Sequence, residues 1–136
     1  MYVIDSSVVL KLLVQEDDSD RAAGFCARCM ADGVGLCAPD ILLYEVSNVL
    51  VRKKKLAVDA VATACEMILD TGLRLRIADV GFILRAAKIA CSTGASVYDA
   101  SYAALAAEEG GVLVTADQRL VNLCGSAADI RLLSSF

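Results

Sequence analysis

Histidine is missing from all 136 residues, and so is tryptophan. Without imidazole, neither Ser-His-Asp nor Cys-His catalysis can be assembled, and no ring nitrogen is offered to a transition metal. Polar chemistry therefore falls to carboxylates, whose natural companions are hard cations such as Mg²⁺ or Mn²⁺. Long hydrophobic runs are missing too, although apolar residues make up 57% of the chain. AVDAVATACEMIL is broken by Asp59 and Glu66, and VYDASYAALAA carries Asp99. No run nears the roughly 18 residues that a membrane helix needs. The opening MYVIDSSVVLKLLVQE has no basic leader, and Asp5 and Lys11 cut its apolar stretch, which argues against a signal peptide. A cytoplasmic protein is expected, its apolar excess covering both faces of a buried sheet and a subunit interface.

Other absences narrow the field further. Neither G-x-G-x-x-G nor G-x-x-x-x-G-K-[ST] occurs, which argues against dinucleotide and P-loop nucleotide sites. Proline occurs once, and no linker, repeat or low-complexity segment divides the chain, so residues 1–136 are expected to form one domain. Positive charge is not in excess: the net charge is −4, so attraction to phosphate has to be local or carried by a metal. Six cysteines are present, but a chain of this size needs no staples, and reduced thiols are expected. Cys26-x-x-Cys29 lacks a second pair or a histidine and reads as packing rather than a zinc site.

What is there alternates between short apolar runs and longer helical patterns. Tyr2–Ile4 predicts a strand, followed by a helix over Ser6–Val14 with Ser6 or Ser7 as its cap. A helix over Asp20–Ala31 and a strand over Gly35–Ala38 come next. Pro39-Asp40 is read as the first turn of a helix running through ILLYEVSNVLVRKKK. Helix Val58–Asp70, strand Leu73–Ala78, a helix from Asp79 to about Cys91 and helix Val97–Glu109 follow. Val112–Thr115 is the clearest strand, before a short helix over Asp117–Cys124 and a last strand over Ile130–Leu133. Strands separated by helices predict βαβ units and a parallel sheet.

In such a sheet, ligands sit beyond the carboxyl ends of the strands. Asp5 ends the first strand, and Asp117 follows VLVT by one residue. Brought together, two carboxylates cost energy unless a cation neutralises them. Glu45 lies inside the apolar LLYEVSNVL, where an unpartnered charge is expensive, with Asn48 three residues on. Asp99 opens a helix rich in small residues that permits close packing. Each acid also has a plainer reading: Asp5 and Asp117 as helix caps, like Asp79, and Asp99 as a complement to a helix dipole. The run Arg52-Lys53-Lys54-Lys55 reads either as a solvated helix end or as a phosphate contact.

Four segments in order, YVIDSSVVLKLL, APDILLYEVSNVL, VYDASYAALA and VLVTADQRL, resemble the PIN domain and, more narrowly, the VapC-type toxins of bacterial and archaeal toxin–antitoxin pairs. Leu12 departs from the aromatic that many relatives place after the lysine of the first helix. The resemblance implies a three-layer α/β/α sandwich with a parallel sheet of about five strands in the order 3-2-1-4-5. It implies a metal-dependent ribonuclease using Mg²⁺ or Mn²⁺, held by Asp5, Glu45, Asp99 and Asp117. Thr115 matches a hydroxyl that orients the first aspartate, and Ser6 and Asn48 match polar positions nearby. The implied partners are RNA, a small antitoxin and a second copy of the chain. A non-catalytic interaction module on the same fold is the alternative. An aspartate-nucleophile phosphatase ranks lower, because Asp5-Ser6-Ser7 lacks the second acid of D-x-D.

Overall fold

A computed structural model describes residues 1–136. Five strands form one sheet: β1 (Tyr2–Ile4), β2 (Leu36–Pro39), β3 (Arg74–Arg76), β4 (Val112–Thr115) and β5 (Asp129–Leu132). Every pairing is parallel, and the order is β3-β2-β1-β4-β5. Seven helices connect them: α1 (Ser6–Leu13), α2 (Ser19–Ala31), α3 (Ile41–Arg52), α4 (Val58–Asp70), α5 (Val80–Thr93), α6 (Val97–Glu109) and α7 (Gln118–Cys124). Right-handed crossovers that run outward in one direction and return in the other put α1–α4 on one face and α5–α7 on the opposite face. The α1·α2, α1·α3, α3·α4 and α5·α6 packings agree with those two layers. All six cysteines are unpaired, and no single helix is long and apolar enough to cross a membrane.

Alanine explains how α6 becomes the centre of its layer. Residues Ala100 to Ala106 are buried without interruption, and α6 touches β1, β2, β4 and β5. Methyl side chains let the helix axis approach the sheet closely, where larger residues would hold it away. Glycines then turn the chain back into the sheet. Gly110 ends α6 in the left-handed conformation at φ 58°. At Gly111 a Cβ would lie 2.6 Å from the Met1 carbonyl oxygen, so only glycine admits β4 beside the start of β1.

Several boundaries differ from expectation, among them β3, which is Arg74–Arg76 rather than Leu73–Ala78, and three are informative. Pro39 belongs to the end of β2, in register with Arg76, not to the first turn of α3. The next N–H, of Asp40, donates to the Arg76 carbonyl. Because N–H groups alternate sides, the donor that Pro39 lacks would face β1, whose ladder with β2 stops at Cys37. The α3 helix stops at Arg52 rather than running through the lysines, and Lys55 is left-handed at φ 54°. Asp5, not Ser6 or Ser7, caps α1.

Candidate active site at the carboxyl edge of the sheet

The β1–β4 pairing sets Ile4 opposite Val114, and the Asp5 N–H continues the ladder by donating to the Val114 carbonyl. Asp5 and Thr115 therefore leave the sheet side by side. Thr115 Oγ1 donates to Asp5 Oδ2 at 2.8 Å, and Ser7 Oγ donates to the same oxygen at 2.5 Å. The Ser7 N–H adds a longer bond of 3.4 Å. The other carboxylate oxygen, Oδ1, has only the Ser6 hydroxyl at 3.5 Å. One oxygen of Asp5 is thus fully engaged in fixing its orientation, and the other is left nearly unpartnered.

The hydroxyls also tie down the chain that follows β4. Thr115 Oγ1 accepts from the Asp117 N–H at 2.9 Å, and Ser7 Oγ accepts from the Ala116 N–H at 2.9 Å. This knot holds Asp117 at the mouth of β4, where its Oδ1 accepts from the Arg119 N–H at 2.7 Å as the cap of α7. Asp5 caps through Oδ2 and Asp117 through Oδ1, which leaves the second oxygen of each carboxylate for other partners. Asp79 caps the start of α5, accepting from the Phe82 N–H at 2.8 Å, and its other oxygen pairs with Arg76 away from these acids.

Glu45, half-buried on α3, is reached from the opposite layer. The phenol of Tyr102 on α6, itself buried, donates to Glu45 Oε2. Asp99 lies one turn before Tyr102 on α6, with its N–H capped by Ser96 Oγ at 3.0 Å. Burial pushes the Asp5 carboxyl above its ordinary range, against the pull of the Ser7 and Thr115 hydrogen bonds. Burial also raises Glu45, with the Tyr102 bond opposing and the charges of Asp5 and Asp99 adding to the rise. Burial raises the Tyr102 phenol as well, so it stays a donor. The carboxylates thus sense one another across the edge of the sheet, and an added cation would relieve both the burial and the repulsion.

A cation already stands among them, one that the sequence reading did not assign to the pair. Arg119 Nη2 donates to Asp99 Oδ2 at 3.0 Å and to Asp117 Oδ2 at 3.5 Å. No three acidic or thiol side chains converge tightly enough to chelate an ion as they stand. Ser7 and Tyr102 were likewise missed, while Asn48 is exposed and takes no part in the network. The basic run lies at the other end of α3, where Lys54 pairs with Glu16 at 3.7 Å.

The chain matches the PIN domain over residues 2–125. It belongs to the PIN-domain family. The VapC resemblance is borne out by Ribonuclease VapC3 of Pyrobaculum aerophilum, 32% identical over 122 residues that cover 87% of this chain and 90% of the relative. The fold is shared with a chain of VapBC2 from Rickettsia felis, a complex bound to a fragment of its promoter DNA. That match has a TM-score of 0.74 at 12% identity and covers 96% of this chain and 97% of the other. Mycobacterium tuberculosis VapC20, described as a sarcin–ricin loop cleaving toxin, matches with a TM-score of 0.70 at 17% identity over 88% and 92% of the two chains. This PIN domain thus has the sheet order that the family implies.

Proposed function

We propose that residues 1–136 form one nuclease unit: a divalent-metal-dependent endoribonuclease that acts as the toxin of a VapBC-type pair. The observation that carries it is the hydroxyl knot of Thr115 and Ser7, which aims Asp5 and Asp117 from neighbouring strands while Glu45 and Asp99 close in from α3 and α6. The donor set suits Mg²⁺ or Mn²⁺, because it offers only oxygens and keeps Asp5 Oδ1 nearly unpartnered. Asp5, Asp99 and Asp117 would hold the ion, and Glu45 would assist from beside them. The bound ion supplies an acidified water and offsets charge on the phosphate. The protein's own share is orientation: Thr115 fixes Asp5, and Tyr102 fixes Glu45. Support for RNA as substrate comes from the name of the 32%-identical relative.

A second feature of the surface suits a partner. An apolar cleft of about 300 Å³ opens between α1, α2 and α4, walled by Val9, Leu13, Cys26, Met30, Met67 and Ile68. Burial, with some help from neighbouring Cys29, pushes the Cys26 thiol up to about 11, so it stays neutral and counts as apolar wall. We assign this cleft to an apolar segment of the antitoxin. The exposed side chains Ile77, Val80, Ile83 and Leu84, at the start of α5, are assigned to a second copy of the chain. A cytoplasmic location fits this reading.

The deciding experiment is cleavage of an RNA panel by the purified protein. Cleavage appears with Mn²⁺ or Mg²⁺ and stops with EDTA. Asp5→Asn and Asp99→Asn, still folded by circular dichroism, each lose roughly a hundredfold or more, beyond the effect typical of outer-shell changes. Full activity in both folded variants defeats the assignment. A second reading, a non-catalytic PIN module, draws support from Arg119 already neutralising two of the acids. Intact RNA under every metal, alongside tight partner binding, would favour it.

A further inference from the structure

Arg119 occupies a place that its own helix does not explain. It is the second residue of α7, where the positive end of the helix dipole disfavours a cation. Its side chain is 59% exposed, so packing does not hold it there. What holds it is the acidic pair: one guanidinium nitrogen, Nη2, lies 3.0 Å from Asp99 Oδ2 and 3.5 Å from Asp117 Oδ2. These two carboxylates come from different elements, and a shared counter-ion is what such a pair requires.

We propose that Arg119 is a built-in competitor for the divalent cation. It neutralises Asp99 and Asp117 in the cation-free protein, and it must swing away before those carboxylates can take up metal. This deepens the metal-site reading above and rests on it. Two features suit the side chain to exchange. Exposed ion pairs are weak, so release is cheap. The backbone N–H of Arg119 stays on Asp117 Oδ1 at 2.7 Å, so only the side chain has to move while the cap of α7 persists. Arg119 thereby sets a threshold, keeping the site closed at low divalent concentration while sparing the protein the repulsion of bare carboxylates.

The test is Mn²⁺ binding by titration calorimetry to the full chain, its Arg119→Gln and Arg119→Lys variants and an Arg131→Gln control. The control removes the same charge from β5, where Arg131 pairs with Asp129 at 2.7 Å. Arg119→Gln binds Mn²⁺ about three- to tenfold more tightly than the parent, the equivalent of two exposed ion pairs. Arg119→Lys falls between them, and Arg131→Gln stays within about twofold at physiological salt. The gap narrows as KCl is raised, because screening weakens the arginine pairs. The Arg119 Nε–H resonance, identified by its loss in Arg119→Gln, shifts when the parent is saturated with Mg²⁺. Equal or weaker binding by Arg119→Gln, or an unmoved resonance at saturation, overturns the competitor role alone. Absence of Mn²⁺ binding in every protein overturns the metal-site reading and this inference with it.

Discussion

Thr115 shows how much one buried hydroxyl can do at the residue scale. It is fully buried, donates to Asp5 and accepts from the Asp117 N–H, so it sets the positions of both strand-end acids. Thr115→Val keeps the shape and removes both bonds. Thermal or denaturant unfolding should show a loss of about 1–3 kcal/mol, the range for stranding a buried polar group. RNA cleavage should fall by roughly ten- to a hundredfold through misorientation of Asp5, and Thr115→Ser should recover most of both. Thr115 was legible only through the family's pattern, because its partner is 110 residues away. Tyr102 and Arg119 went unread for a related reason: their partners are set by how α3, α6 and α7 meet. The local hints were there, a tyrosine one helical turn after Asp99 and an arginine in the first turn after the Asp117 cap, but neither spacing names a partner.

At the element scale, α6 and α5 invite opposite experiments. The α6 helix is packed so closely against the sheet that Ala103, fully buried, has no room to grow. Ala103→Leu should cost about 1–3 kcal/mol or more by overpacking, read as a lowered melting temperature. The exposed side of α5 is instead laced with charge. Glu108 accepts from Arg85 at 2.5 Å and Arg76 at 3.1 Å, and Asp79 accepts from the Phe82 N–H and Arg76, each at 2.8 Å. Arg85, then Arg76, holds the Glu108 carboxyl below its ordinary range. The Phe82 N–H, then Arg76, does the same for Asp79. The folded state thus binds these protons less readily than the unfolded chain. The stability they confer is present above the unfolded pKa values and is lost as the pH falls below about 4.5 toward the depressed folded values. Asp79→Asn combined with Glu108→Gln should flatten the acid side of a melting-temperature profile by lowering its neutral part, and should leave the most acid end nearly unchanged. The elements themselves were largely legible, because glycine stops, caps and β-branched runs are local signals. The Pro39 and Lys53–Lys55 boundaries were not, since sheet register decided one and a left-handed Lys55 accompanied the other.

For the whole molecule, the parallel architecture could be read from alternation alone, but the order of strands could not. Neighbouring β1 with β4 is a long-range choice that came from resemblance and agrees with the structure. The apolar excess had no address in the sequence, and the structure divides it among the core, the cleft by α1 and the exposed start of α5. If the α5 surface seats a second copy, light scattering should report a dimer, and Val80→Asp with Leu84→Asp should convert it to a folded monomer. An unaltered mass would reject that assignment. The strand order also has a consequence for biosynthesis. The knot at the carboxyl edge joins Asp5 to Thr115, so a chain emerging from the ribosome carries the first acid long before the second half of its site exists. At about 5–20 residues per second, the two halves are separated by roughly 5–20 s of translation. If the chain is the nuclease proposed above, its site stays incomplete during synthesis until β4 has been released to pair with β1.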